Sequence, residues 1–112
     1  MAIDRLKTRL WVQAQVRICS KKNIPIYVLR SGDQDAGALI LKITGRGGLC
    51  RLYSQIRGLS GEISWTRAGA RERMTEADTG PYLERQKNID PDIWIIEIED
   101  PENRYELDGP LL

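Results

Sequence analysis

The sequence contains no histidine and no phenylalanine among its 112 residues. The lack of histidine excludes a Ser-His-Asp triad, a Cys-His pair and every zinc site with an imidazole ligand. The two cysteines, Cys19 and Cys50, do not form a CxxC motif, so a thioredoxin-type site is also excluded. We expect both to be reduced core residues, with a disulfide between them as the alternative. No cofactor is expected.

No apolar run approaches the roughly 20 residues that span a bilayer. Charged residues also interrupt the first ten positions, where a signal peptide needs an apolar stretch. We therefore expect a cytoplasmic protein without a membrane partner. A hydrophobic content of 41% and a charged content of 29% are typical of a globular domain. We place that domain at residues 1–100 and expect an extended, partly loose C-terminal tail at residues 101–112.

The net charge is only +1, but the charges are unevenly distributed along the chain. Residues 1–73 contain 14 Lys and Arg against 5 Asp and Glu, whereas residues 74–112 contain 3 against 11. This asymmetry has two interpretations. Either the basic part binds an anionic partner, or the two parts neutralise each other when the domain folds.

Two segments have the patterns of helices. Leu6, Leu10 and Ile18 share an apolar stripe that predicts a helix over residues 4–23. The second helix follows Thr75, which together with Asp78 resembles a capping box. Because Gly80 and Pro81 interrupt the pattern, the alternative is a start near Thr79.

Five short segments rich in apolar and β-branched residues are typical of strands. They cover residues 24–30, 38–44, 49–56, a short stretch that includes residues 63–65, and residues 93–99. The first four are expected to form an antiparallel meander, to which the second helix returns the last strand. The order α-β-β-β-β-α-β predicts an α+β fold with a mostly antiparallel sheet of about five strands and two helices packed on one face.

Three stretches together resemble a known family. They are "RLWVQAQVR" in the first helix, "VLRSGDQDAGALILKI" across the first two strands, and "ERQKNIDPDIWIIEIED" before and within the last strand. They are similar to the bacterial domain-of-unknown-function family 1491, over residues 5 to about 100. The resemblance implies a small single-domain protein without an assigned activity, and it supplies no catalytic residues.

Asp33 and Asp35 lie in the glycine-flanked stretch between the first two strands. They do not match a calcium loop, because the sixth and twelfth positions counted from Asp33 are Ala38 and Thr44. Asp and Gly favour turns, so we interpret this stretch as a hairpin turn. The alternative is an acidic site for a cation, or a hydrolase site, formed with the "DPD" turn. That site has Asp33, Asp35, Asp90 and Asp92 as its acids, and Arg30, Arg85 and Gln86 as its neutralising neighbours.

The stretch "GRGG" at residues 45–48 also has two interpretations. Its glycines favour a hairpin turn. The alternative is a backbone nest for phosphate with Arg46 and Arg51 above it. A P-loop is excluded because the Lys-Ser/Thr pair and the spacing are missing.

The basic residues of the first helix suggest an anion-binding face. They are Arg5, Arg9, Arg17, Lys21 and Lys22. Such a face can follow the phosphates of a nucleic acid, although no recognition motif accompanies it. The alternative is an ordinary solvated helix surface.

The last strand is apolar on both faces at its start. Trp94, Ile96 and Ile98 alternate with Ile93 and Ile95. If no helix covers the second face, Ile93, Ile95 and Trp94 form a contact surface for a partner. We therefore expect a non-catalytic protein-interaction module, including self-association as a homodimer. Nucleic-acid binding is the alternative, and an acidic metal or hydrolase site comes third.

Overall fold

The computed structural model describes residues 7–112, which contain two helices and five strands. In chain order these are α1 (Thr8–Lys21), β1 (Ile26–Arg30), β2 (Leu39–Thr44), β3 (Cys50–Arg57), β4 (Ile63–Ala68), α2 (Glu76–Ile89) and β5 (Trp94–Glu99). The predicted α+β class and element order are confirmed. Within residues 7–112, neither helix has the length and apolar character needed to cross a membrane.

The five strands form one sheet in the order β1-β5-β2-β3-β4. The β2–β5 pair is parallel and the other three pairs are antiparallel, as predicted for a mostly antiparallel sheet. The predicted meander is confirmed only for β2, β3 and β4, because β5 lies between β1 and β2. A strand with apolar residues on both faces is stable in the centre of a sheet, where both faces are covered.

The two helices pack on opposite faces of the sheet, which differs from the prediction of one face. Trp11 and Val12 of α1 share a core with Leu41 and Ile96, whereas Leu83 of α2 belongs to a second core. That second core also contains Ile40, Leu52, Ile93 and Ile95. Both faces of β2 and β5 are apolar, so each face needs a helix to exclude water.

Helix α1 buries a different stripe from the predicted one. Its buried residues are Thr8, Trp11, Val12, Gln15 and Cys19. Leu10 and Ile18 are 40% and 43% exposed, while Leu6 lies outside the described residues. The buried polar side chains have distant partners, since the Thr8 hydroxyl donates to the Gly37 carbonyl and Gln15 Oε1 accepts from the Tyr105 hydroxyl. Helical periodicity does not reveal such long-range hydrogen bonds.

Helix α2 begins at Glu76 with the predicted capping box. The Thr75 side chain accepts from the Asp78 N–H, and the Asp78 side chain accepts from the Thr75 N–H. Pro81 lies inside the helix, so the alternative start near Thr79 is wrong.

The C-terminal tail is extended and mostly exposed, but several of its residues are hydrogen-bonded to the rest of the domain. The Asp108 carboxylate accepts hydrogen bonds from the indole N–H groups of Trp11 and Trp65, at 2.6 and 3.2 Å. Asp100 binds the backbone N–H groups of Arg104 and Tyr105. These contacts hold the tail against α1 and β4.

Candidate functional site

The acidic loop between β1 and β2 is not a hairpin turn, because it crosses the start of β5. The Asp33 carboxylate accepts from the backbone N–H groups of Asp35 and Ala36, at 3.3 and 2.9 Å. This is the self-bonding turn that aspartate favours. The Asp35 carboxylate lies 3.5 Å from Nζ of Lys7, and both side chains are exposed. The two carboxylates therefore shape their own loop.

The acidic loop and the "DPD" turn do come together, but through their backbones. The Asp33 N–H donates to the Asp92 carbonyl at 2.9 Å, and the Trp94 indole donates to the Asp33 carbonyl at 2.7 Å. A Cβ atom at Gly32 would collide with the Asp92 carbonyl, so this close approach requires glycine there.

Three of the four acidic side chains, those of Asp33, Asp35 and Asp90, make separate local contacts. Asp90 Oδ1 accepts from the Asp92 N–H at 3.0 Å. Among residues 7–112, no group of three or more Cys, Asp or Glu is arranged to hold a metal ion. Of the proposed neighbours, Arg30 does reach the "DPD" turn, where it donates to the Pro91 carbonyl at 2.7 Å, whereas Arg85 lies 5.9 Å from the Tyr82 ring centroid. The backbone carbonyl of Gln86 accepts from the Asp90 N–H.

Backbone carbonyls of the acidic loop cap the start of α1, which has no side-chain cap. The carbonyls of Gln34 and Asp35 accept from the N–H groups of Arg9 and Thr8, at 3.1 and 3.4 Å. These donors are among the four that a helix start leaves without an intrahelical partner. The loop is thus a junction of α1, β2 and β5.

The contact surface predicted at Ile93, Ile95 and Trp94 is not exposed. These side chains are 5%, 1% and 5% exposed. Helix α2 and the loop before it cover Ile93 and Ile95 through Leu83 and Met74. These three residues therefore belong to the core of the domain.

Strand β1 is an exposed edge of the sheet, and its side chains are unusually apolar for that position. Tyr27, Val28 and Leu29 are 46%, 44% and 46% exposed. The Pro25 carbonyl accepts from the Glu99 N–H. Since hydrogen-bonded positions alternate along an antiparallel pair, the backbone groups of Ile26 and Val28 point away from β5.

A groove of about 600 Å³ runs between α1 and β1. Val12, Val16, Val28 and Trp94 supply most of its apolar lining, and Arg9 and Arg17 contribute the charges. Neither arginine forms an ion pair with another of residues 7–112. The groove therefore combines an apolar lining with positive charge beside an open strand edge.

The opposite edge, β4, is covered by the chain itself. The Trp65 N–H donates to the Pro110 carbonyl at 2.9 Å, and the Leu112 N–H donates to the Trp65 carbonyl at 2.8 Å. Leu111 forms an isolated parallel bridge with Trp65. The two edges of the sheet thus differ, because only β1 has no chain segment added to it in the described range.

The basic residues of α1 do not form one continuous face. Arg9 and Arg17 line the groove, whereas Lys22 lies at the helix end, where its Nζ donates to the Arg104 carbonyl at 3.4 Å. Lys21 is exposed in the last turn, and Arg5 lies outside the described residues.

Sequence reasoning missed a buried polar cluster around Lys42. This side chain is 7% exposed, and its Nζ lies 2.7 Å from Glu76 Oε2 and 3.4 Å from Glu97 Oε2. Thr44 donates to Glu97, and the Cys50 thiol donates to Glu76. The signal was present, because Lys42 and Glu97 each interrupt an apolar strand and lie side by side in the parallel β2–β5 register.

The contacts within the cluster favour charged Lys42, charged Glu76 and a protonated Cys50 thiol. Burial alone would lower the pKa of Lys42, but the hydrogen bond to Glu76 and the charge of Glu97 outweigh it and raise that pKa. The same hydrogen bond lowers the pKa of Glu76. Burial raises the pKa of the Cys50 thiol, so this cysteine is a poor nucleophile. The cluster attaches the first turn of α2 to the centre of the sheet.

Comparisons with known proteins agree with this fold. A crystal structure of a DUF1491 family protein from Caulobacter crescentus shares 37% identity over 96% of this chain and 97% of its own, with a TM-score of 0.81. An NMR structure of a DUF1491 family protein from the same organism gives a TM-score of 0.79 at 37% identity, over 96% of each chain. Protein Atu0922 from A. tumefaciens gives 0.73 at 25% identity, over 88% of each chain.

No curated protein matches the chain. The family model described as "Protein of unknown function (DUF1491)" matches residues 6–108, which include both helices, all five strands and most of the tail. The resemblance seen in the sequence is thereby confirmed. The chain belongs to the DUF1491 family.

Proposed function

We propose that this chain is a protein-interaction module that binds an extended segment of another protein as an additional strand on β1. The observation that carries the proposal is the open edge of β1 beside the groove. Strand addition uses unpaired backbone groups for affinity and side-chain grooves for specificity. Ile26 and Val28 supply the backbone groups, and the groove next to Val28 supplies the side-chain site.

The charge of the groove favours an acidic partner. Arg9 and Arg17 lie on its lining without an ion-pair partner in residues 7–112, and no acidic residue lines it. A second copy of the chain would bring the same two arginines to a symmetric β1–β1 contact, where like charges disfavour association. We therefore infer an apolar segment with acidic residues, rather than a homodimer through this edge.

The edge also has features that limit unspecific pairing. Pro25 precedes the strand, and the register shifts by one residue between Val28 and Arg30. Proline, bulges and short length are the means by which natural edge strands avoid aggregation. A five-residue edge with these features fits a short, specific partner segment.

The test is selection from a displayed library of random heptapeptides, followed by titration of the selected peptide. We expect enrichment of sequences in which apolar and acidic residues alternate. Val28→Pro removes an outward N–H without removing a bond to β5, so it should abolish binding with little loss of stability. Val16→Glu should weaken binding by about tenfold, because it places an acid in the groove.

The matched control is Ile18→Glu on the same helix. Ile18 is 43% exposed, close to the 40% of Val16, but it does not line the groove. Binding by this variant should equal that of the wild type. Equal losses in the two glutamate variants, or selection of basic peptides, would contradict the proposal. Strong salt-dependent binding of a single-stranded RNA, lost in Arg9→Gln, would favour the nucleic-acid alternative instead.

A further inference from the structure

A second concave site lies where the β2–β3 turn meets the segment after β5. Its volume is about 400 Å³. Three arginines line it, Arg46, Arg51 and Arg73, together with Leu49 and Pro101. It shares no residue with the α1–β1 groove, so its function is independent of the one proposed above.

The backbone brings two of these arginines together. Cys50 and Met74 form an antiparallel bridge, with N–H to carbonyl distances of 2.7 and 2.8 Å in the two directions. Arg51 follows Cys50 and Arg73 precedes Met74, so the two arginines occupy the next facing positions. Like charges at facing positions repel each other. A bound anion would remove that repulsion.

The acidic residues nearby leave much of this positive charge uncompensated. The Asp100 carboxylate is turned to the N–H groups of Arg104 and Tyr105, at 2.8 and 2.7 Å, and the residue is only 3% exposed. Glu102 pairs with Arg46 at 3.4 Å, and both side chains are exposed.

Arg51 and Arg73 have few contacts of their own. Arg51 donates one hydrogen bond, to Asn103 Oδ1 at 3.4 Å. Arg73 has no hydrogen bond or ion pair with another of residues 7–112. Both guanidinium groups therefore retain donors for a ligand.

We propose that this pocket binds a small phosphorylated organic molecule. Guanidinium groups bind phosphate oxygens in pairs, and three of them around one concave site suit a doubly charged group. Leu49 is 42% exposed and, with Pro101, offers apolar surface for the organic part of the ligand. The alternative interpretation of the "GRGG" turn, a phosphate site with Arg46 and Arg51, thus gains a third arginine, Arg73, from a distant part of the sequence.

The test is to titrate the full chain separately with phenyl phosphate, inorganic phosphate and malonate, and to measure the amide chemical shifts at each step. We expect saturable binding of phenyl phosphate with a dissociation constant of about 1 mM or less. Inorganic phosphate should bind more weakly, because it lacks the apolar part, and malonate more weakly still. The largest shifts should fall on residues 45–51, 73 and 100–103.

Arg51→Gln and Arg73→Gln should each weaken binding about tenfold. Arg73 lies in an exposed connection, so its variant keeps the test informative if Arg51→Gln fails to fold. The control is Arg67→Gln, since neither Arg67 nor its ion-pair partner Glu72 lines the pocket. Equal weakening in the control, no saturable binding, or tighter binding of malonate than of either phosphate would overturn the proposal.

Discussion

At the scale of single residues, Lys42 is a buried charge that two carboxylates compensate. It is the one lysine among residues 7–112 that is buried, and its charge is shared between Glu76 and Glu97. Removing one member of a buried ion pair leaves the other charge without compensation. The cluster therefore contributes strongly to stability only while all three members are present.

We expect Lys42→Met to lower the free energy of unfolding by about 3 kcal/mol, because Glu97 remains largely buried without its partner. The control is Lys87→Met, which removes an exposed pair with Glu84 and should change stability by less than about 0.5 kcal/mol. Denaturant unfolding of both variants measures the difference. Equal stabilities would show that the cluster is not buried as described.

The same cluster makes the stability of the fold depend on pH. The pKa of Glu76 lies below its ordinary value of 4.5, so its stabilisation is present above that value and is lost as the pH falls through the lowered pKa. The pKa of Lys42 lies above its ordinary value of 10.5. Its stabilisation is therefore complete below 10.5 and is lost as the pH rises through the raised pKa.

We therefore expect Glu76→Gln to be less stable than the wild type at pH 7 and the two proteins to converge in acid. Free energies of unfolding measured from pH 7 down to pH 2 test this expectation. A stability difference that stays constant over this range would mean that ionised Glu76 does not interact with Lys42.

At the scale of elements, α2 depends on the capping box at its start. Thr75→Ala removes the acceptor for the Asp78 N–H and should cost about 1 kcal/mol. Thr75→Ser retains the hydroxyl and is the matched control. Thermal unfolding of the two variants should separate them, and an alanine variant as stable as the serine variant would contradict the described cap.

A second expectation at the scale of elements concerns the edge strand β4. Deleting residues 110–112 removes the bonds that Pro110 and Leu112 form with Trp65 and so opens the edge of β4. An unpaired edge is a template for association. The truncated chain should associate as its concentration rises, as measured by sedimentation velocity, whereas a chain that remains monomeric after truncation would argue that the tail does not close this edge.

At the scale of the whole molecule, the two charge-segregated parts of the sequence partly neutralise each other. Four ion pairs in residues 7–112 join a base before residue 74 to an acid after it. The basic residues without an ion pair in residues 7–112 include Arg9 and Arg17 at the groove, and Arg51 and Arg73 at the second site. Neutralisation therefore applies to part of the charge, and the anionic ligands that we propose concern the remaining arginines.

Local patterns in the sequence predict the element types well, since strand alternation and the Thr75 cap depend on neighbouring residues. They do not predict that β5 enters between β1 and β2, because that depends on which strand most needs burial on both faces. They also miss the true inward face of α1, whose polar residues Thr8 and Gln15 are buried by hydrogen bonds to distant parts of the chain. The acidic loop has the local pattern of a hairpin turn, but β5 lies between β1 and β2, which neighbouring residues do not reveal.

The candidate groove was less predictable than the fold. Arg9 and Arg17 were recognised as basic, but their relation to Val28 requires the packing of α1 against β1. The exposure of Val28 likewise depends on β1 being at the edge, which follows only from the strand order.

The central claim, that β1 accepts an added strand, is tested most directly by amide hydrogen exchange at Ile26 and Val28. Exchange is measured in the free chain and with the selected acidic peptide bound. We expect both amides to exchange rapidly in the free chain and to slow by at least about tenfold in the complex, while the amides of β4 do not change. Binding of the peptide without slower exchange at Ile26 and Val28 would contradict it.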